Sequence, residues 1–338
     1  MRKPVITLSQ ACDGMIRSKT AEGVSVNTVR NDRTAFRKLQ AYFASHPGRG
    51  SGEATDPPLA SITRGQLVEF FAWLREEYVS EPDGAAPRGK IKLSPKSVLN
   101  IHTELSALWS WALQEGYVKE HLLRTIDLPD AQSKVVEPFT REQIEALVKA
   151  CDRSHTWKTR ELTTNSRSTA DRDHAIILTL LDTGLRASEL CGIKFGDVNM
   201  TANSVKVLGK GQKERVVYFG KRAAKALWKY LPPLLKDNRP DDPVFVVGPD
   251  DDPRPLTRDV LARLLARIGE RAGVKGVHPH RFRHTFAITY LRNEGDLFTL
   301  QALLGHSDIE MVKRYARIAQ TDCARAHQKA SAVDDWRL

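Results

Sequence analysis

The stretch ALLGHSDIEMVKRYARI, residues 302–318, sets a histidine and a tyrosine nine positions apart. On one unbroken helix, at about 100° per residue, His306 and Tyr315 would face opposite ways. The sequence provides an interruption. Gly305 is a helix-ending residue, and Ser307 with Glu310 three places on has the form of a capping box that opens a new helix. His306 is therefore expected in a turn and Tyr315 about two turns into the following helix, an arrangement that can bring both side chains to one place.

The rest of the chain bounds what such a place could do. At 338 residues it exceeds one ordinary core, and an apolar content of 41% suffices for two domains. The net charge of +11 is spread along the chain rather than gathered in a tail. That balance favours a polyanionic partner, nucleic acid first, although charge alone does not decide against a basic enzyme of another kind. Cys12, Cys151, Cys191 and Cys323 are scattered, with neither a CxxC pair nor metal-ligand spacing, and read as reduced thiols. The opening MRKPVITLSQACDGMI lacks the apolar region of a secretory signal, and no membrane-length apolar run follows, so a cytoplasmic location and no membrane role are expected.

Helix starts recur through the first part of the chain. Thr7 with Gln10 and Thr63 with Gln66 have capping-box spacing, Ser25 precedes VNTVRNDRTAFRKLQAYF, and Ser94 followed by Pro95 opens KSVLNIHTELSALWSWAL. A bundle of four or five helices is expected, with Val29, Phe36, Leu39, Phe43, Leu105, Leu108 and Trp111 in its core. Arg30, Arg33, Arg37 and Lys38 fall on the other side of their helix. Residues 48–58 and 80–90 read as flexible connections. The extended, proline-flanked IDLPDAQSKVVEPF, residues 126–139, marks the domain junction, giving a helical domain at 1–126, a linker at 127–138 and a second domain at 139–338.

In the second domain Thr140 and Gln143 cap a helix, DRDHAIILTLLDTG forms a buried one ending at Gly184, and the polar stretch 152–169 is left as a loop or short insertion. Residues 203–219 read as a β-hairpin, helices are expected at about 220–235 and 257–271, and PVFVV between them reads as a short strand. The fold class is mainly α, with a small antiparallel sheet in the second domain.

Three further stretches stand beside the opening one: TGLRASEL (183–190), GKGQKER (209–215) and HPHRFRHTF (278–286). The first would serve equally as a helix-turn-helix element. The second resembles a phosphate-binding loop but lacks its GKS or GKT ending and its strand-to-helix setting. His280 and His284 have metal-ligand spacing, yet Arg281 and Arg283 beside them would repel a cation. Together the four stretches supply two arginines, a lysine, two histidines and a tyrosine, a set suited to metal-free phosphoryl transfer. Guanidinium groups bind two phosphate oxygens at once and stabilise charge in a pentavalent transition state. A phenol, with an ordinary pKa of about 10, needs a base or a cationic field to act as a nucleophile.

These motifs, in this order and spacing, resemble the tyrosine recombinases, or phage-type integrases, and among them the simple Xer-like members. The resemblance covers essentially the whole second domain and no position of its catalytic set is substituted. It implies that Arg186 and Arg283 are the catalytic arginines, Glu189 an acidic support, Lys210 the hairpin lysine, His280 and His306 the catalytic histidines and Tyr315 the nucleophile. The fold it implies is a helical, SAM-like core-binding domain followed by a mixed α+β catalytic domain.

The implied reaction is site-specific cleavage and rejoining of double-stranded DNA through a 3′-phosphotyrosyl link, with strand exchange through a Holliday junction and no metal or other cofactor. The implied assembly is a homotetramer on two DNA sites, a monomer away from DNA, with accessory recombination factors as possible partners. The Arg30 to Lys38 face would then meet phosphates. No extra amino-terminal arm-binding domain is expected. The alternatives are a type IB topoisomerase-like nicking-closing enzyme and a non-catalytic DNA-binding regulator on the same fold.

Overall fold

The computed structural model describes residues 4–46, 55–80, 91–129, 136–152, 168–209, 214–231, 239–249 and 252–305. The chain divides into two compact units, Met1–Lys134 and Val135–Leu338.

The first unit is built on α1 (Leu8–Ala21), α2 (Val26–Ser45), α3 (Arg64–Glu76) and α4 (Pro95–Gln114). Each helix starts where a side chain satisfies an otherwise orphaned backbone amide. Thr7 and Gln10 close a capping box at α1, Thr63 and Gln66 another at α3, and the hydroxyls of Ser25 and Ser94 accept from Thr28 and Ser97. Two residue pairs that the sequence does not signal, β1 (Val79–Ser80) and β2 (Ile91–Lys92), form an antiparallel ladder at the ends of the 80–90 connection.

Phe36, Leu39, Phe43, Leu105 and Leu108 are buried as expected, but Trp109 rather than Trp111 is the fully enclosed indole of α4. Trp111 and Val29 pack on the core from its edge. Asp32, also inside, is neutralised by Lys19 at 2.7 Å. Arg30, Arg33 and Arg37 are exposed along α2, whereas Lys38 is half-buried with its ammonium 5.4 Å from the centre of the Tyr78 ring.

The second unit contains α5 (Arg141–Asp152), α6 (Ala170–Thr183), α7 (Ala187–Cys191), a three-stranded antiparallel sheet of β3 (Val198–Asn199), β4 (Ser204–Leu208) and β5 (Glu214–Tyr218), then α8 (Lys221–Tyr230). A two-stranded ladder of β6 (Val246–Val247) and β7 (Arg254–Pro255) precedes α9 (Arg258–Ala272), α10 (Pro279–Arg292) and α11 (Leu297–Leu304). The sheet pairs Val205 with Val217 and Val207 with Arg215, which directs Val205, Val207 and Val217 into the core beside Ile176, Leu180, Phe245 and Phe282.

The helix after the hairpin is described over 221–230, with 232–238 outside the described residues. The strand expected over PVFVV is corrected: only Val246 and Val247 form one, because Val244 bonds instead to the carbonyl of Ile193 and Phe245 accepts from Leu256. Most of the 152–169 stretch lies outside the described residues.

The start of this unit is fastened to α10. The Arg281 guanidinium lies 4.1 Å from the Phe139 ring centre and donates to the carbonyls of Glu137 (3.0 Å) and Lys275 (2.7 Å) and to Gln143 Oε1 (3.2 Å). Phe139 N donates to Thr285 Oγ1 at 2.9 Å, and that hydroxyl donates to the carbonyl of Arg281 at 2.8 Å. No described helix is long and apolar enough to cross a membrane.

Candidate active site

Three segments distant in sequence meet at the carbonyl end of α11. The first is the turn between α6 and α7. Gly184 ends α6 in the left-handed conformation (φ 61°), and a Cβ there would lie 2.4 Å from the Phe286 ring, so both backbone and space require glycine. Leu185 is buried by the turn, and Arg186 becomes the residue that caps α7.

Glu189, one turn on, points back. Its Oε2 accepts from the Arg186 backbone amide and its Oε1 from Arg186 Nη1, each at 2.8 Å. The Glu189 side chain is 2% exposed, so its charge needs full compensation.

The second segment is β5. Arg215 donates Nη1 to Glu189 Oε1 and Nη2 to Glu189 Oε2, both at 2.8 Å, a fork-to-fork pairing that completes four hydrogen bonds on the carboxylate. Burial alone would push the Glu189 carboxyl up. The bonds from Arg215 and Arg186 outweigh it and hold the pKa down to about 2, so Glu189 is anionic at neutral pH.

The third segment is α10. Pro279 occupies its first turn and the His278 ring caps it, with Nδ1 accepting from the Arg281 amide at 3.3 Å. Arg283 is 3% exposed and donates Nη1 to the carbonyl of Gly184 and Nη2 to that of Leu304, each at 2.7 Å.

α11 itself ends at Gly305 (φ 62°), and its last carbonyls are taken up by these guanidiniums. Leu303 accepts from Arg215 Nε at 2.8 Å, Leu304 from Arg186 and Arg283, and Gly305 from Arg186 Nη2 at 3.3 Å. A Cβ on Gly305 would stand 3.0 Å from Arg215 Nη1. Three cations and one carboxylate therefore surround a helix end whose partial charge is negative, and the excess is positive.

His280, in the first turn of α10, reaches solvent. Partial desolvation first, then the charges of Arg283 and Arg186, hold its pKa below the ordinary histidine value. A neutral imidazole beside two guanidiniums can accept a proton from a hydroxyl that an oxyanion group brings to the same place.

The structure thus gathers Arg186, Glu189 and Arg283, with His280 beside them, next to the residue that precedes His306. Lys210, His306 and Tyr315 lie outside the described residues; β4 and β5 flank the first, and Gly305 adjoins the second. Arg30, Arg33 and Arg37 belong to the other unit. Among the described residues no three His, Cys, Asp or Glu side chains are grouped as metal ligands.

Arg215 is the residue that the sequence reading passes over. Strand alternation carries the missing signal. In ERVVY, Arg215 shares the inward parity of Val217, and a charged residue facing inward requires a buried partner of opposite charge.

Residues 137–322 match the phage integrase family. The chain is 29% identical over 303 residues to the tyrosine recombinase XerD of Listeria monocytogenes, covering 88% of this chain and 90% of that one. It is 30% identical over 309 residues to the tyrosine recombinase XerD of Staphylococcus haemolyticus, covering 91% and 93%. Among solved structures, the Tn1549 transposon integrase in complex with a circular intermediate DNA is similar in fold, with a TM-score of 0.70, 19% identity and coverage of 96% and 99%.

Proposed function

The chain belongs to the phage integrase family, as a tyrosine recombinase of the Xer-like, site-specific kind, and on that premise we propose that it cuts and rejoins duplex DNA through Tyr315. The observation that carries this reading is the convergence of Arg186, Glu189 and Arg283 on the end of α11, immediately before His306.

In the proposed reaction the Tyr315 hydroxyl oxygen attacks the scissile phosphorus while His280 accepts its proton, a task suited to an imidazole whose pKa is held low. Arg186 and Arg283 face the non-bridging oxygens and offset the charge of the pentavalent transition state. The P–O5′ bond breaks, Lys210 protonates the departing 5′-oxygen, and a 3′-phosphotyrosyl link remains. His306 donates a hydrogen bond to a phosphate oxygen. Glu189 takes no proton; it braces Arg186. The phosphotyrosyl bond conserves the energy of the broken diester, so a 5′-hydroxyl of a partner strand can reverse the chemistry and exchange strands through a Holliday junction without metal or nucleotide.

The helical first unit serves as the core-binding domain, and the exposed Arg30, Arg33 and Arg37 of α2 meet DNA phosphates. Lys38, occupied by the Tyr78 ring, makes a lesser contribution. Strand exchange calls for four protomers on two sites, with accessory factors setting direction.

The test is a covalent-adduct assay on DNA fragments flanking the gene, denatured before analysis, with Tyr315→Phe alongside. Adducts that vanish in Tyr315→Phe support the reading. Specific binding without any adduct contradicts it.

A further inference from the structure

Arg215 occupies a position that the catalytic set does not explain. All three of its nitrogen groups are engaged: Nη1 and Nη2 on Glu189 and Nε on the carbonyl of Leu303. Its side chain is 12% exposed, against 29% for Arg186, so it is the more enclosed of the two guanidiniums on Glu189. It also reaches between elements. It stands on β5, the strand that follows Lys210 in the sequence, and grips both the α7 carboxylate and the last turn of α11. Gly305 leaves room for it, since a Cβ there would lie within 3.1 Å of its central carbon.

The consequence for Arg186 follows from counting bonds on Glu189. Each carboxylate oxygen receives one bond from Arg215 and one from Arg186, through the side chain on Oε1 and the backbone on Oε2. With Arg215 present, Arg186 need commit only Nη1 to Glu189, and Nη2 turns to Gly305. With Arg215 removed, the buried carboxylate would lack half its donors, and the neighbouring Arg186 guanidinium would be drawn inward to supply them.

We propose that Arg215 is a positioning residue of the recombination site: by saturating Glu189 and tying β5 to the end of α11, it keeps Arg186 turned outward for the scissile phosphate. Arg215 does not touch DNA in this role; it acts through Glu189. The inference rests on the reading of Arg186 as a phosphate ligand given above.

The experiment is single-turnover adduct formation at saturating DNA by the full chain and its Arg215→Gln, Arg215→Lys and Glu189→Gln variants, the Arg215→Gln/Glu189→Gln double variant, and Tyr315→Phe. Rate constant, final amplitude, DNA affinity and thermal midpoint are measured for each. A displaced phosphate ligand is expected to lower the Arg215→Gln rate constant on the order of 100-fold, with affinity and amplitude retained. Arg215→Lys, which keeps a charge but not a fork, falls between. The double variant should be no slower than the worse single one, because both changes break the same linkage.

A loss of amplitude and thermal midpoint with an unchanged rate constant, or effects of Arg215→Gln and Glu189→Gln that multiply, would overturn the proposal. If Arg215→Gln does not melt cooperatively, Arg215→Lys carries the same comparison. Adducts lost in Tyr315→Phe alongside normal rates in both Arg215 variants reject the positioning role alone. Adducts retained in Tyr315→Phe reject the parent reading and this inference with it.

Discussion

Arg186 and Arg283 donate to the same oxygen, the carbonyl of Leu304, at 3.3 and 2.7 Å. Two like charges are thereby held side by side by a backbone group that cannot titrate, at a helix end whose dipole favours cations. For Arg283 this bond is one of a pair, the other going to Gly184, so the guanidinium bridges the α6–α7 turn and α11. Arg283→Lys keeps the charge but cannot span both carbonyls. Its cleavage rate is expected to fall by about 100- to 1,000-fold, the scale for removal of one oriented transition-state donor, with DNA binding altered far less. Gel-shift affinity and single-turnover cleavage measured on one preparation check this; near-normal cleavage would contradict it.

Glu189 gives a stability prediction whose sign is fixed by its depressed pKa. The contribution of such a carboxylate is fully present above its ordinary value, near 4.5, and is lost as pH falls through the folded value of about 2. Thermal midpoints of the unmodified protein should therefore decline through that acid window. Glu189→Gln should melt lower at neutral pH, by the equivalent of about 3–5 kcal/mol for one broken partner of a buried ion pair, and should decline less steeply on acidification. Parallel curves for the two proteins would refute the assignment.

His280 predicts the pH limb of the reaction. Since its pKa lies below the ordinary 6.5, the neutral form persists into mildly acidic solution. Cleavage should hold at pH values where a solvent-exposed histidine is already charged, then fall as pH drops through the lowered value. In His280→Asn the rate should be lower throughout and that limb absent. A wild-type limb above the ordinary histidine value would oppose a proton-accepting His280.

Gly305→Ala tests the joint after α11. Alanine would be placed at φ 62°, and its Cβ would crowd Arg215 Nη1 at 3.0 Å. The left-handed conformation alone costs about 1–2 kcal/mol. Cleavage should fall together with the thermal midpoint, and calorimetry beside an adduct assay reads both; a variant as stable as the parent would show that the joint relaxes freely.

Salt dependence separates the exposed arginines of α2 from the enclosed ones. Arg30→Ala, Arg33→Ala or Arg37→Ala should each weaken DNA binding and reduce the slope of log affinity against log salt by about 1. Lys38→Ala should change the slope less, because the ammonium already rests on Tyr78. Unchanged slopes for all three arginine variants would remove this face from the DNA contact.

Features whose partners are close in sequence could be read from the residues. The caps at Thr7, Ser25, Thr63, Ser94 and Thr140 each bind an amide three residues on, so the pattern carries the structure within itself. Gly184 and Gly305 announced helix ends for the same reason. Arg215 could not be placed that way, because its partners Glu189 and Leu303 lie 26 and 88 positions away. PVFVV reads as a longer strand than it forms, because Val244 and Phe245 bond to Ile193 and Leu256, which nothing in a β-branched run announces. Trp109 and Trp111 stand two residues and about 200° apart on α4, and which indole is enclosed depends on how that helix is rotated against its neighbours.

The fastening of Glu137 and Phe139 to Arg281 and Thr285 has a mechanical meaning. A displacement of the backbone at residues 137–139 acts directly on these bonds. It is delivered through the Arg281 guanidinium to the first turn of α10, one residue from His280 and two from Arg283. The connection is only a few bonds long, so residues 137–139 and the first turn of α10 are held to move as one piece.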